Sequence, residues 1–285
     1  MKPKETINLY RVISLLVIAL VTFGVMGGLG AKSHLYPDEW LSMFFLTLIF
    51  LLVCMFELEY ERKQKGISAN TQTTFIRLSV TYTVSGGLIY AISYLPEFYR
   101  PVMIPVILLT AVSNSMVAVS FGLFFDLVLA LTVGGSFYAL AAYMMLTMLA
   151  AVLAQALKEK KYRMGVSLLT FFFSLMIPEL FSYLSTKEMQ KYSLLYAFGT
   201  AFLTFLTAAF LFHRLLHEAD QEIENHLLDI VSEDYSEVKA LKDFSMVEYR
   251  HAVKVSDIAC RCAKEVGYRA NLCLAGGFYY RMGRW

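Results

Sequence analysis

The sequence predicts an all-α protein: a polytopic helical membrane bundle of about eight spans, followed by a short cytosolic helical segment. Three observations predict it. Hydrophobic residues make up 58% of the chain and charged residues only 17%, with a mean hydropathy of +0.55, outside the range of a water-soluble domain. Apolar runs of spanning length recur between residues 10 and 213, and about 20 helical residues cross a hydrocarbon core of ~30 Å. From Arg214 the pattern changes, with charged residues set between apolar ones at helical intervals. The expected organisation is a transmembrane bundle over 1–213, a linker helix over 214–244 and a helical domain over 245–285.

The clear spans are 10–30, 40–57, 75–94, 164–184 and 192–213. Residues 102–157 form one apolar stretch too long for a single crossing, since 56 helical residues would reach about 84 Å. "SNS" at 113–115 and "GG" at 134–135 divide it into three, giving eight crossings. The first span is too long, and followed by too poor a cleavage site in "VMGGLGAKS", to read as a cleaved signal peptide.

Orientation follows from Lys and Arg. Lys2, Lys4, Arg11, "ERKQK" (61–65), Arg77 and "KEKKYR" (158–163) fall on one side, against Lys32, Arg100, Lys187 and Lys191 on the other. The positive-inside bias puts the N-terminus in the cytosol, and an even number of crossings returns the chain there at His213. The expected location is the cell (inner or plasma) membrane, with both termini cytosolic. Tyr10, Tyr36, Trp40, Tyr94, Tyr99 and Tyr192 lie near span ends, as interfacial aromatics do. A net charge of +2 gives no ground for a nucleic-acid polymer as partner.

Few ionisable residues fall inside spans. Asp126 in "FGLFFDLVLAL" is the most central, and Glu179 follows Pro178 in "MIPELF". An intramembrane carboxylate is a candidate ligand or proton site; the alternative is that the span edges lie a few residues away and Asp126 sits near an interface. Two carboxylates this scattered make a weak case for a transporter.

In the cytosolic part, Leu216, Ile223, Leu227, Leu228 and Val231 predict a helix continuing from the last span. His213, His217 and His226 read more readily as residues of the membrane exit than as a metal site. Ser245 and Glu248 have capping-box spacing and begin a further helix. Its expected apolar stripe is Ala252, Val255, Ala259, Cys262 and Val266, its wet face Lys254, Asp257, Arg261 and Lys264, and its stop Gly267. Cys260 and Cys262, two residues apart, point to different helix faces and read as small buried residues rather than a metal pair. A last helix starts near Asn271, where Gly276 and Gly277 permit close packing.

The two motifs "EYRHAVKVSDIA" and "GGFYYRMGRW", behind an eight-span bundle and a linker helix, resemble the seven-transmembrane HD-hydrolase family. These are bacterial membrane proteins whose characterised members are cyclic-di-AMP phosphodiesterases. The resemblance covers 214–285 and, more loosely, the bundle. It implies that 245–285 is the beginning of an HD-like domain. It places His251 on a metal-ligand position, Tyr280 and Arg281 on the His-Asp doublet, and Gly283 and Arg284 on the Gly-Lys pair that follows. The family uses a divalent metal pair such as Mn or Fe to activate a water. Tyr is a poor ligand at neutral pH, and Arg offers no lone pair and brings a fixed positive charge. The family's later Asp falls beyond Trp285, and the abrupt apolar end predicts either that the natural chain continues or that this is a truncated gene product. The large extracellular insertion of many members is reduced to residues 31–39.

The expectation is therefore a non-catalytic HD-like protein that senses or relays a signal, with no catalytic residue and no metal or other cofactor. Arg281 and Arg284 are the candidate contacts to a cyclic dinucleotide; the lipid bilayer and further copies of the chain are the other candidate partners. Two readings remain beside it. One is an active metal-dependent cyclic-dinucleotide phosphodiesterase, supported by His251 alone. The other is an ion or small-solute transporter or structural membrane protein, supported by Asp126.

Overall fold

The computed structural model describes residues 9–65, 72–133, 135–159, 161–188 and 192–281. Lys2, Lys4, Lys160, Lys191, Gly283, Arg284 and the side chains of 61–65 lie outside the described residues. Among those described there are helices and turns but no strand. The chain divides into two compact units, Met1–Leu216 and His217–Trp285.

The first unit contains α1 (Leu9–Ser33), α2 (Pro37–Lys65), α3 (Gln72–Ile92), α4 (Met103–Val112), α5 (Ser115–Thr132), α6 (Phe137–Leu157), α7 (Arg163–Thr186) and α8 (Ser193–Leu206). A π-helical turn, Thr207–Leu211, joins α8 to α9 (Phe212–Asp229), which leads into the second unit. Local chemistry sets the ends. Pro37 opens α2 with Asp38 and Glu39 in its first turn, where a missing N–H costs nothing and negative charge is favoured. Ser136 caps α6, its Oγ accepting from the Ala139 amide at 3.2 Å.

Among the described residues seven helices are long and apolar enough to cross a bilayer, not the eight expected. The exception is α4, whose ten residues rise only about 15 Å. Ser113 and Asn114 of "SNS" and Gly135 of "GG" fall between helices as expected, but the first of the three pieces of 102–157 is not a span-length helix.

The chain nonetheless passes from one end of the bundle to the other there. Arg11 pairs with Glu59, Ser120 donates to Glu57 at 2.8 Å, Gln155 donates to Ser115 at 2.6 Å and Arg163 meets His213 at 3.2 Å. These contacts define one end of the bundle. At the other, Lys32 donates to the Ser93 carbonyl at 2.9 Å, Tyr143 donates to the Glu97 carbonyl and the Ser136 amide donates to the Glu97 carboxylate. Between Arg100 and Ser115 the path runs from the second end to the first through α4 and extended residues on its flanks. Such non-helical backbone is tolerated at membrane depth only inside protein. Arg100 and Ser113, the extended residues on its flanks, are indeed buried, as is nearly all of α4. The start of α1 and the end of α8 therefore lie at the same end of this unit.

Apolar side chains cover this unit inside and out. Leu20, Leu52, Phe56, Val152, Leu168 and Leu195 are exposed as fully as loop residues would be, a pattern that fits lipid rather than water outside. Of the expected interfacial aromatics, Tyr36, Tyr94 and Tyr192 are exposed, but Tyr99 is buried in the core. It belongs to a 3₁₀ turn, Glu97–Tyr99, folded into the bundle end.

The second unit contains most of α9, then α10 (Ser236–Phe244), α11 (Met246–Val266) and α12 (Ala270–Tyr279). The linker is not one helix over 214–244. It breaks after Asp229, where Ser232 Oγ bonds the Asp229 carbonyl at 2.7 Å and competes with the helix ladder. Ser245 caps α11 as expected, accepting from the Glu248 amide at 3.4 Å, but Glu248 does not complete the box and bonds elsewhere. Gly267 ends α11 at φ 78°, a conformation glycine adopts freely. The buried face of α11 is Ala252, Ser256, Cys260 and Ala263, shifted from the expected stripe, with Cys262 and Val266 exposed. Small residues face α12 because α12 comes very close. A Cβ on Gly277 would lie 3.0 Å from Ser256 Cα and 3.1 Å from Ala259 Cβ, whereas Gly276 faces open space. Val238, Leu241, Ala252 and Phe278 form the core of this unit. Tyr279 donates its hydroxyl to the Ile230 carbonyl, and burial pushes its phenol up to about 12.

Candidate functional site

Two places gather the residues singled out from the sequence, one in each unit. In the second unit, α11 presents Glu248 and His251 on one face, three residues apart. The end of α12 brings Tyr280 and Arg281 against that face. His251 Nε2 and the Tyr280 hydroxyl are 2.8 Å apart. Arg281 Nη1 donates to Glu248 Oε2 at 3.4 Å. Leu241, Ala252 and Phe278 form the apolar floor of the recess these residues line. Three positions that the resemblance assigned to a metal site, 29 and 30 residues apart in sequence, thus meet in space.

The chemistry of the meeting is not that of a metal pair. The Nε2 lone pair or proton of His251 is committed to Tyr280, whose phenol is a weak ligand. Arg281 is a permanent cation held by the nearest carboxylate, Glu248. Among the described residues no group of three or more His, Cys, Asp or Glu is placed to hold a metal ion. The residues present do not fit the divalent pair that the resemblance implies. His213 lies beside Arg163 in the first unit. Cys260 is buried and Cys262 exposed, on different faces of α11. Arg284 lies outside the described residues.

In the first unit, Asp126 on α5 is 1% exposed. It is buried in the interior of the bundle. Its Oδ2 accepts from Thr147 Oγ1 of α6 at 2.6 Å, while Oδ1 has no partner. Gly122, one turn earlier on α5, makes room for Thr147. A Cβ there would come within 2.6 Å of Thr147 Cγ2 and 2.8 Å of Val106 Cγ2. Glu179 is not brought to Asp126 and instead accepts from Tyr99 at 3.5 Å.

Two participants are not conspicuous in the sequence. Arg100 reads as a loop charge beside Pro101, yet it is only 4% exposed, with Nη1 on the Tyr143 hydroxyl at 3.2 Å and Nε on the Leu95 carbonyl at 3.4 Å. Thr147 reads as one neutral residue in an apolar helix. The available signal was the spacing of Ser136, Tyr143 and Thr147, which puts the few polar residues of α6 near one face.

No family profile, curated protein or solved structure matches the chain.

Proposed function

We propose that the chain is a multi-pass membrane signalling protein whose second unit is an HD-like domain that does not hydrolyse. The single observation that supports this reading most is the convergence of His251, Tyr280 and Arg281, with a hydrogen bond and an ion pair in place of a metal cluster. A protein keeping this recess without its metal ligands retains a surface able to bind and report, with no means to activate a water. Arg281 is the group that would recognise a phosphate of a cyclic dinucleotide, exchanging Glu248 for the ligand's charge.

That exchange has a measurable consequence. Cyclic-di-AMP is expected to bind the purified chain, with Arg281→Ala losing roughly tenfold or more in affinity, about 1.4 kcal/mol. Glu248→Gln, which releases Arg281 from its internal partner, is expected to bind several-fold more tightly than the natural chain. Calorimetric titration reads both. Equal affinity in all three proteins would remove the recess from the account.

The proposed orientation places the end of the bundle bearing Arg11, Gln155 and His213 at the cytosol, with the HD-like unit on that side. It rests on the Lys/Arg bias together with the common end shared by α1 and α8. Cys262, an exposed native thiol, supplies a probe. An impermeant maleimide added to intact cells should leave Cys262 unmodified until the membrane is opened. A cysteine replacing exposed Tyr36 should react at once. Modification of Cys262 in intact cells would reverse the orientation.

A further inference from the structure

The strongest unexplained feature of the first unit is Asp126. A carboxylate in hydrocarbon-lined protein is stable only when paired or richly hydrogen-bonded. Asp126 has one donor, Thr147 Oγ1 at 2.6 Å, and its second oxygen is buried with no partner. No described ion pair reaches it. The elements packed around α5 bring few charges or titratable groups. From α6 comes Tyr143, one turn from Thr147, and from the segment before α4 comes Arg100, committed to Tyr143 and Leu95. From α2 come Cys54 and Glu57, the latter accepting from Ser120, and from α3 comes Tyr82, which meets Thr22 at 2.6 Å. Arg11 of α1 is held by Glu59. The nearby α4 offers Val106 and no titratable group. One hydroxyl donor is too little for an ionised carboxylate and too few oxygens for a metal cation.

We propose that Asp126 is a reversible proton-binding site in the interior of the membrane unit. The folded bundle holds it as a carboxylic acid. When the α5–α6 contact opens, the acid O–H bond breaks, the proton passes to water as hydronium and the carboxylate is left hydrated; closing the contact reverses both changes. Gly122 is the hinge of this geometry, because only a residue without a side chain lets Thr147 approach Asp126 so closely. The site belongs to the first unit and does not depend on the HD-like reading.

Infrared spectroscopy of the full chain in lipid nanodiscs tests it. At neutral pH the natural protein should show a protonated-carboxyl carbonyl band that is absent in Asp126→Asn, where the Thr147 hydrogen bond keeps its acceptor. The band should move in Thr147→Val, which removes that bond; this shift carries the assignment should Asp126→Asn fail to fold. On alkaline titration the band should disappear and return when the pH is restored. Two results would overturn the proposal. Absence of any such band at neutral pH would mean that Asp126 is ionised in the folded bundle. A band that persists at every pH at which the bundle stays folded would make it a fixed structural acid.

Discussion

Phe278→Ala is expected to unfold the 217–285 unit while leaving the membrane unit folded. Phe278 is only 2% exposed and is the largest side chain in a core otherwise made by Val238, Leu241 and Ala252. Truncating a buried Phe to Ala costs about 3–5 kcal/mol, and a unit of this size rarely has more than ~3–5 kcal/mol in total. The loss is therefore comparable to the whole. The membrane unit has its own, much larger core and shares no buried residue with that cluster. Hydrogen exchange on the full chain reads both units at once. Protection should fall throughout α10, α11 and α12 and stay unchanged in α4, α5 and α6. Retained protection in α11 would mean that the unit is held by something other than this core.

Gly122→Val is expected to do the converse. The added Cβ would stand 2.6 Å from Thr147 Cγ2 and 2.8 Å from Val106 Cγ2, and two further methyls would have nowhere to go. Close packing lets neither neighbour retreat far. Thr147 is held to Asp126, and Val106 belongs to α4, which is buried almost throughout. Overpacking typically costs about 1–3 kcal/mol per position. The Ala variant should fall in that range, with Val beyond it. A melting curve of the detergent-purified protein should show an ordered series, natural chain above Ala above Val. A Val variant as stable as the natural chain would show that α5 and α6 do not approach as described.

Much of this architecture was legible from hydropathy, and the exceptions have physical causes. Helices were legible because lipid demands long apolar helical runs and polar breaks stand out between them. Serine and glycine at 113–115 and 134–135 therefore gave the right divisions. The length of α4 was not legible, because 102–112 is apolar whether lipid or protein surrounds it. Burial by other helices leaves no mark that composition can carry. The buried face of α11 differs from the expected stripe for a related reason. Ala, Ser and Cys differ little in hydrophobicity, so the close approach of Gly277, a tertiary fact, decided which of them lie inside.

The candidate sites divide in the same way. Asp126 was conspicuous as a charge in an apolar helix, but its partner Thr147 and the clearance at Gly122 belong to a helix–helix contact. His251, Tyr280 and Arg281 were legible only through motif order. Glu248 has the spacing of a helix cap, but its side chain pairs instead with Arg281, just past the end of α12.

The proposed function requires that the recess of the second unit holds no metal pair and does not hydrolyse. Metal analysis of the purified full chain, combined with a manganese-supplemented cyclic-di-AMP turnover assay, tests it most directly. The expected result is no stoichiometric Mn or Fe and no turnover above the buffer control, for the natural chain and equally for a Tyr280→His, Arg281→Asp double variant. That variant restores an imidazole and a carboxylate but not the further groups needed to orient them. The contradictory result is near-stoichiometric metal and Mn-dependent turnover by the natural chain, both lost in His251→Ala.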